Sequence, residues 1–317
     1  ERLGVGLLKL HLPVESLGWN FYAVGNFEGA SRVGDIGGAL RAELLFDDTE
    51  ISVSSAFRND QPVQIGFDLS SALGPLDVTG ELALLYDDPG PYFRAARPGE
   101  EAPIDAAVGD LQVLLDLDVP SELRAVPGDR SEEWSVQVVV GGEGQLPYTA
   151  QDSLFLGAEY FYFNVGQRDT SIYPALFLNG SFTPLYTSRH YAAVYASLPA
   201  PGDWNRTSFT ISTVANLSDR SALSRLDFSA DLFTFATFNA YVSCNWGEIG
   251  EFRYRYRSAP AADLTSLPDP ESGQPVAIED ILAGLAPDQA ALAGVLLQGN
   301  RIDAPRFNAG VGLRMAL

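Results

Sequence analysis

Apolar and polar residues alternate one for one along much of this chain, and few folds accept that pattern. In Arg225-Leu226-Asp227-Phe228-Ser229-Ala230-Asp231-Leu232 the two kinds exchange places at every step. The stretches from Ile51 to Arg58 and from Val63 to Ser70 repeat the pattern. From Arg306 to Leu317, the side chains of Phe307, Ala309, Val311, Leu313, Met315 and Leu317 fall together, opposite Arg306, Asn308, Gly310, Gly312 and Arg314. Successive strand residues point to opposite faces, so a period of two encodes strands with one apolar and one polar face.

Thirteen such runs are legible, at 3–12, 19–27, 36–46, 50–58, 62–72, 75–86, 133–148, 153–164, 189–198, 207–216, 222–232, 234–245 and 306–317. Most are about ten residues long, roughly twice the usual globular strand. Tilted strands of about 9–11 residues are what a bilayer requires. The connections alternate between short turns, such as 47–49 and 72–75, and long segments at 87–132, 165–188 and 246–305. No sequence repeat of constant period marks a solenoid.

Composition narrows the function. Asp and Glu total 41 against 20 Lys and Arg, a formal charge of −21 over 317 residues. That balance excludes a basic face for nucleic acid and a basic patch for anionic lipid. With 46% hydrophobic residues the chain is too apolar to stay disordered. The single Cys244 excludes an internal disulfide, and His11 and His190 are too few for a histidine-rich metal centre. No apolar run approaches the ~20 residues of a spanning helix. Phosphate-binding and nucleophile-elbow motifs are absent. Ser188 and His190 share a strand face but lie ~6.5 Å apart by strand rise, too far for a direct pair. The expectation is a protein that is not an enzyme and holds no cofactor or metal.

The alternating runs, the aromatic-rich Gly157-Ala158-Glu159-Tyr160-Phe161-Tyr162-Phe163 and the terminal strand 306–317 resemble those of large Gram-negative outer-membrane β-barrels, of the porin or export-channel kind. The resemblance is one of pattern and covers nearly the whole chain. Members usually close on a terminal aromatic residue, where this chain has Leu317. The resemblance implies an all-β fold: one antiparallel transmembrane barrel over 1–317, with short periplasmic turns and long extracellular loops. It also implies a bacterial outer-membrane location, contact with outer-membrane lipid and lipopolysaccharide, and passage of small hydrophilic solutes. The alternative role is a structural or export barrel that sheaths or anchors another envelope component, for polysaccharide export or electron transfer, with a protein partner or further copies of itself. A soluble β-protein with a binding surface is the third reading.

Charges belong in the lumen of such a barrel, because an arginine facing lipid near the midplane costs ~2–4 kcal/mol. The expected lumen-lining residues are Arg41, Glu43, Arg58, Asp68, Asp77, Glu81, Glu159, Arg225, Asp227, Asp231 and Arg314. They read either as a hydrated wall that orients solute or as Arg–carboxylate pairs filling the barrel. Tyr and Trp gather near strand ends, as interfacial girdles do. The segments 87–133 and 258–305 carry net charges of −8 and −6. They read as a cation-attracting vestibule or as ordinary solvated loops. In the last long segment Ile278, Ile281, Leu282 and Leu285 have helical spacing, which predicts a short helix and a candidate constriction. With thirteen strands and a periplasmic C-terminus, the first strand would start outside the cell. Even-numbered barrels then predict an odd number of further strands, and a signal peptide, before Glu1.

Overall fold

The computed structural model describes residues 6–59, 61–88, 90, 92–102, 124–178, 180–257, 266–268, 275–277 and 301–315. Its main feature is one sheet of 13 strands whose spatial order follows the chain. The strands are β1 (Leu7–Val14), β2 (Trp19–Asn26), β3 (Gly37–Phe46), β4 (Thr49–Phe57), β5 (Val63–Leu73), β6 (Leu76–Tyr86) and β7 (Trp134–Pro147). They continue as β8 (Ser153–Phe163), β9 (His190–Pro199), β10 (Thr207–Asn216), β11 (Ser221–Phe233), β12 (Ala236–Gly247) and β13 (Phe307–Met315). Each run of alternation has become a strand, and the ends differ by a few residues. All twelve pairings between neighbours are antiparallel.

The connections sort by rim. Along one rim run the short turns 15–18, 47–48, 74–75, 148–152, 200–206 and 234–235. Gly74, at φ +66°, supplies the positive dihedral that opens a two-residue hairpin turn. The opposite rim carries the three long connections 87–133, 164–189 and 248–306, together with the shorter 27–36, 58–62 and 217–220. The segment 87–133 leaves β6 and returns to its immediate neighbour β7, so it inserts into a hairpin without disturbing the sheet.

Register then assigns the faces. Asn20, Glu43, Ser52, Asp68, Glu81, Val139, Phe161, Tyr191, Asn216 and Ser221 are direct partners across successive strands. Direct partners share a face. Extended over the sheet, this rule puts every Asp, Glu, Lys and Arg of the thirteen strands on one face and none on the other. The second face is built mainly from Leu, Val, Ile, Phe, Ala and Gly, with His190 at a strand end and a few hydroxyls, two pairs of which bond each other. Thr49 bonds Ser71 at 2.7 Å and Thr213 bonds Ser224 at 2.8 Å. Its Tyr and Trp residues stand at strand ends, namely Trp19, Tyr86, Trp134, Tyr160, Tyr162 and Trp246.

No second layer packs on this apolar face among the described residues. Leu10 is 64% exposed and Val311 79%. A soluble sandwich would bury such a face against another sheet. The strands β1 and β13 are the two edges, with no pairing between them among the described residues. Both run from the long-connection rim to the short-turn rim, so a direct seam between them would be parallel.

Two details depart from the sequence reading. A helix that the spacing did not predict, α1 (Tyr173–Leu178), lies in 164–189. Ile278, Ile281, Leu282 and Leu285, expected to form the constriction helix, lie outside the described residues. The long acidic segments also hold small ribbons outside the thirteen runs, one of them with a strand within 252–257, where the alternation allows a further strand. Phe93–Ala95 pairs with Ala125–Pro127, Arg255–Arg257 with Arg301–Asp303, and Ser266–Pro268 with Pro275–Ala277. No helix among the described residues is long and apolar enough to cross a membrane.

Candidate functional site

The polar face gathers its charges into two groups. On β2–β5, Arg41 lies 2.9 Å from Glu43 and 3.5 Å from Asp68, and it donates to Ser52 Oγ at 2.9 Å. The Tyr22 hydroxyl donates to Glu43 at 3.1 Å. The His11 ring stacks on Tyr22 at 4.5 Å, and Lys9 Nζ sits 4.6 Å from the same ring. These groups border a concavity of about 770 Å³ over β1–β7. On β11 and β12, Arg225 bonds Asp227 at 2.6–2.9 Å and stacks over Tyr241 at 4.1 Å. Both arginine groups are about half exposed, so each pair contributes no more than ~1 kcal/mol.

The remaining expected residues spread between these groups. Asp68 stands opposite Glu81, and Asp77 opposite Glu143. Glu159 lies between Gly141 and Ala193. Asp231 accepts from Thr237 Oγ1 at 2.7 Å, and Arg314 is the partner of Thr237 across β12 and β13. Arg58 sits just past β4 and donates to the Glu28 carbonyl at 2.5 Å, which places it at the rim. Lys9, Glu50 and Glu143 share the charged face, and the sequence reading passed over them.

The long connections fold over this same face. Tyr186 packs edge-on against Phe161 at 5.7 Å and Phe163 at 6.1 Å. Both phenylalanines have polar-face register, so 164–189 bends inward across the polar side. Ala125, Ile172, Tyr173, Ala175 and Leu176 form a small apolar core, with Phe93 and Phe182 against it. Tyr254 of the last connection adds contacts at 5.5 Å to Phe177 and 6.4 Å to Phe182. Gln167 Nε2 donates to the Phe93 carbonyl at 2.6 Å. Three long connections thus meet in one cap.

Beneath that core lies a buried polar cluster. Ser188, Asn216 and Ser221 are fully buried, and Asp219, Glu251, Tyr173 and Tyr191 nearly so. Asn216 Nδ2 donates both to Asp219 at 2.9 Å and to Glu251 at 2.8 Å. Asp219 also accepts from the amides of Glu251 at 2.7 Å and Ser221 at 2.8 Å, and from Tyr173 at 3.2 Å. Glu251 accepts from the Tyr191 hydroxyl at 2.6 Å and from the Leu185 amide. Burial pushes the Glu251 carboxyl above its ordinary range, despite the hydrogen bonds that oppose the shift. Burial likewise raises the Tyr173 hydroxyl. Gly250 lies so close to the Asp219 carboxylate that a β-carbon there would collide with it.

Ser188 and His190 take separate partners. Ser188 Oγ bonds the Tyr173 hydroxyl, while His190 Nδ1 meets Tyr160 Oη at 2.7 Å. A charged contact in the first long connection joins Arg94 to Glu100, at 2.6 and 2.7 Å. Together with the Arg97 amide it holds the Glu100 carboxyl down to about 2. A depressed carboxylate stabilises above its ordinary 4.5 and loses that contribution as pH falls to about 2. The Arg97 amide, bonded to Glu100 at 2.9 Å, is therefore expected to lose exchange protection across that interval. Glu100→Gln is expected to abolish the pH dependence.

Comparison with protein families, with characterised proteins and with solved structures finds no match to this chain.

Proposed function

We propose that this chain forms the wall of an outer-membrane channel through which small hydrophilic solutes pass, with a weak preference for cations. The observation that carries the reading is the segregation of charge: thirteen successive strands with all their charged residues on one face. Water on both sides would exert no such pressure, whereas hydrocarbon on one side does. Three further features support it. The strands run from 8 to 14 residues, which brackets the span a tilted strand needs. Tyr and Trp stand at the strand ends of the apolar face, where headgroup girdles lie. The three longest connections all lie along one rim and the other rim carries none of them, as in barrels that present loops outward. Lipid and lipopolysaccharide would then cover the apolar face, and solute would meet the polar one.

Cation preference follows from the wall. Glu43, Glu50, Asp68, Asp77, Glu81, Glu143, Glu159, Asp227 and Asp231 outnumber Lys9, Arg41, Arg225 and Arg314. A net negative wall concentrates cations, and salt screens the effect. Purified protein in planar bilayers is expected to give discrete conductance steps. Reversal potentials in a KCl gradient should favour K⁺, and the preference should shrink as ionic strength rises. Anion preference would refute the charge argument, and no conductance would refute the channel.

The second reading is a structural or export barrel that sheaths another envelope component. Its support is that Arg41 and Arg225 of the polar face are already paired with neighbouring carboxylates and that a cap lies across the polar side. Absent conductance together with co-purification of an envelope partner would favour it.

A further inference from the structure

The polar cluster under the cap joins three segments that are distant in sequence: the connection 164–189, the turn 217–220 and the start of the last connection. Its centre is two carboxylates held by the two hydrogens of one amide, Asn216 Nδ2. Glu251 is 3% exposed and Asp219 6%. No ion pair among the described residues includes either of them. Facing Glu251 are Tyr191 from β9, Asn216 from the end of β10, Asp219 from the turn and the Leu185 amide. Tyr173 of α1 reaches Asp219 from the other side. Three arginines of these segments bind elsewhere. Arg189 donates to the Gly166 carbonyl, Arg220 pairs with Glu248, and Arg253 donates to the Gly247 carbonyl.

Two ionised carboxylates in one buried pocket repel, and no cation among the described residues pairs with either. A proton on Glu251 removes it. The Tyr191 hydroxyl, which now donates, can then accept from the protonated acid.

We propose that Glu251, Asn216 and Asp219 form a proton-operated clasp that holds the start of the last connection, residues 248–254, against the mouth of the sheet at low pH and eases as pH rises. Its consequence for solute passage rests on the channel reading, while the clasp itself does not. The direction follows from linkage. A carboxyl whose folded value is raised contributes stability that is complete below its ordinary 4.5 and is lost as pH climbs through the raised value. Easing the clasp frees Tyr254 from Phe177 and Phe182, and with it one side of the cap.

The test is hydrogen exchange on the full chain in detergent micelles, from about pH 4 to pH 8, corrected for intrinsic rates. The amides to follow are Leu185, Glu251 and Phe252, whose acceptors are Glu251, Asp219 and Ser221. Their protection is expected to fall by up to about tenfold per pH unit across one window above 4.5, while sheet amides stay level. Glu251→Gln should flatten the profile. Asp219→Asn, which removes the neighbouring charge, should move the window to lower pH. A level wild-type profile overturns the clasp, as does a Glu251→Gln profile matching wild type. If Glu251→Gln fails to fold, an unmoved window in Asp219→Asn overturns it. Bilayer conductance recorded alongside separates the two readings. pH-dependent protection without conductance keeps the clasp and rejects the channel, and conductance with level protection does the reverse.

Discussion

Arginine at position 211 is expected to cost the protein about 2–4 kcal/mol in a bilayer, and arginine at position 212, on a wet face, about 0.5 kcal/mol or less. Ile211 and Ser212 are neighbours near the middle of β10, and their side chains leave the sheet on opposite faces. Ile211 belongs to the face without charge and is 52% exposed. Ser212 pairs with Arg225 and Tyr195, on the face that carries every strand charge. The two variants share backbone, depth and strand propensity, so their difference isolates the medium on each side. Denaturant unfolding in phospholipid vesicles measures it, with heat-modifiable migration in gels as the coarse readout. A water-soluble β-sheet protein gives another result. There Ile211→Arg sits on a wet, open surface and costs within ~0.5 kcal/mol. Equal stability of the two variants would therefore reject the membrane reading.

The sheet was legible because its pattern is local. A strand whose two faces meet different media must alternate, and Arg225 to Leu232 declares this in eight residues. Legibility failed where alternation lapses. In Val138-Val139-Val140-Gly141-Gly142 both faces are apolar or bare, so nothing in that stretch tells which side Glu143 takes. Register settles it by pairing Glu143 with Asp77. Lys9 was missed for a related reason. It stands alone among Leu7, Leu8, Leu10 and Leu12, and its polar-face position becomes clear only from its partner Val24. The cap was not legible at all. Tyr173, Ser188, Asn216, Asp219 and Glu251 are scattered over almost eighty residues and share no spacing. Their one shared trait is the polar type of residue that ordinary loops also carry. What joins them is the closing of hairpins at one rim, a long-range event that no short window of sequence records. The helical spacing at Ile278, Ile281, Leu282 and Leu285 is a strong local signal by comparison but lies outside the described residues, whereas the described helix over the polar face, Tyr173–Leu178, gave none. It is too brief to show a period and is held by Ile172 and Leu176 in the cap's core.

Replacement of Asn216 by leucine is expected to cost ~3–5 kcal/mol, with the loss centred on the cap rather than on the sheet. Leucine nearly matches asparagine in size, so the change removes chemistry more than volume. Asn216 is fully buried, and its amide nitrogen is the shared donor of Asp219 and Glu251. Its Oδ1 accepts from the amides of Ser218 at 2.9 Å and Asp219 at 3.3 Å, which shapes the turn 217–220. Leucine leaves two buried carboxylates each short of a donor and two amides without an acceptor. Each such group costs ~1–3 kcal/mol when no water reaches it, and more when it is charged. The strand pairing of β10 with β9 and β11 uses backbone groups and does not depend on the side chain. The expected outcome is an intact sheet with a loosened cap. Amides of Glu251 and Phe252 should exchange at least a hundredfold faster, while strand amides such as that of Ile211 keep their protection. Proteolysis between residues 248 and 254 should appear in the variant under conditions where the parent resists. Unchanged exchange at Glu251 would show that the shared amide does not hold the cap, whereas collapse of the strand amides as well would make the cluster a support of the whole sheet.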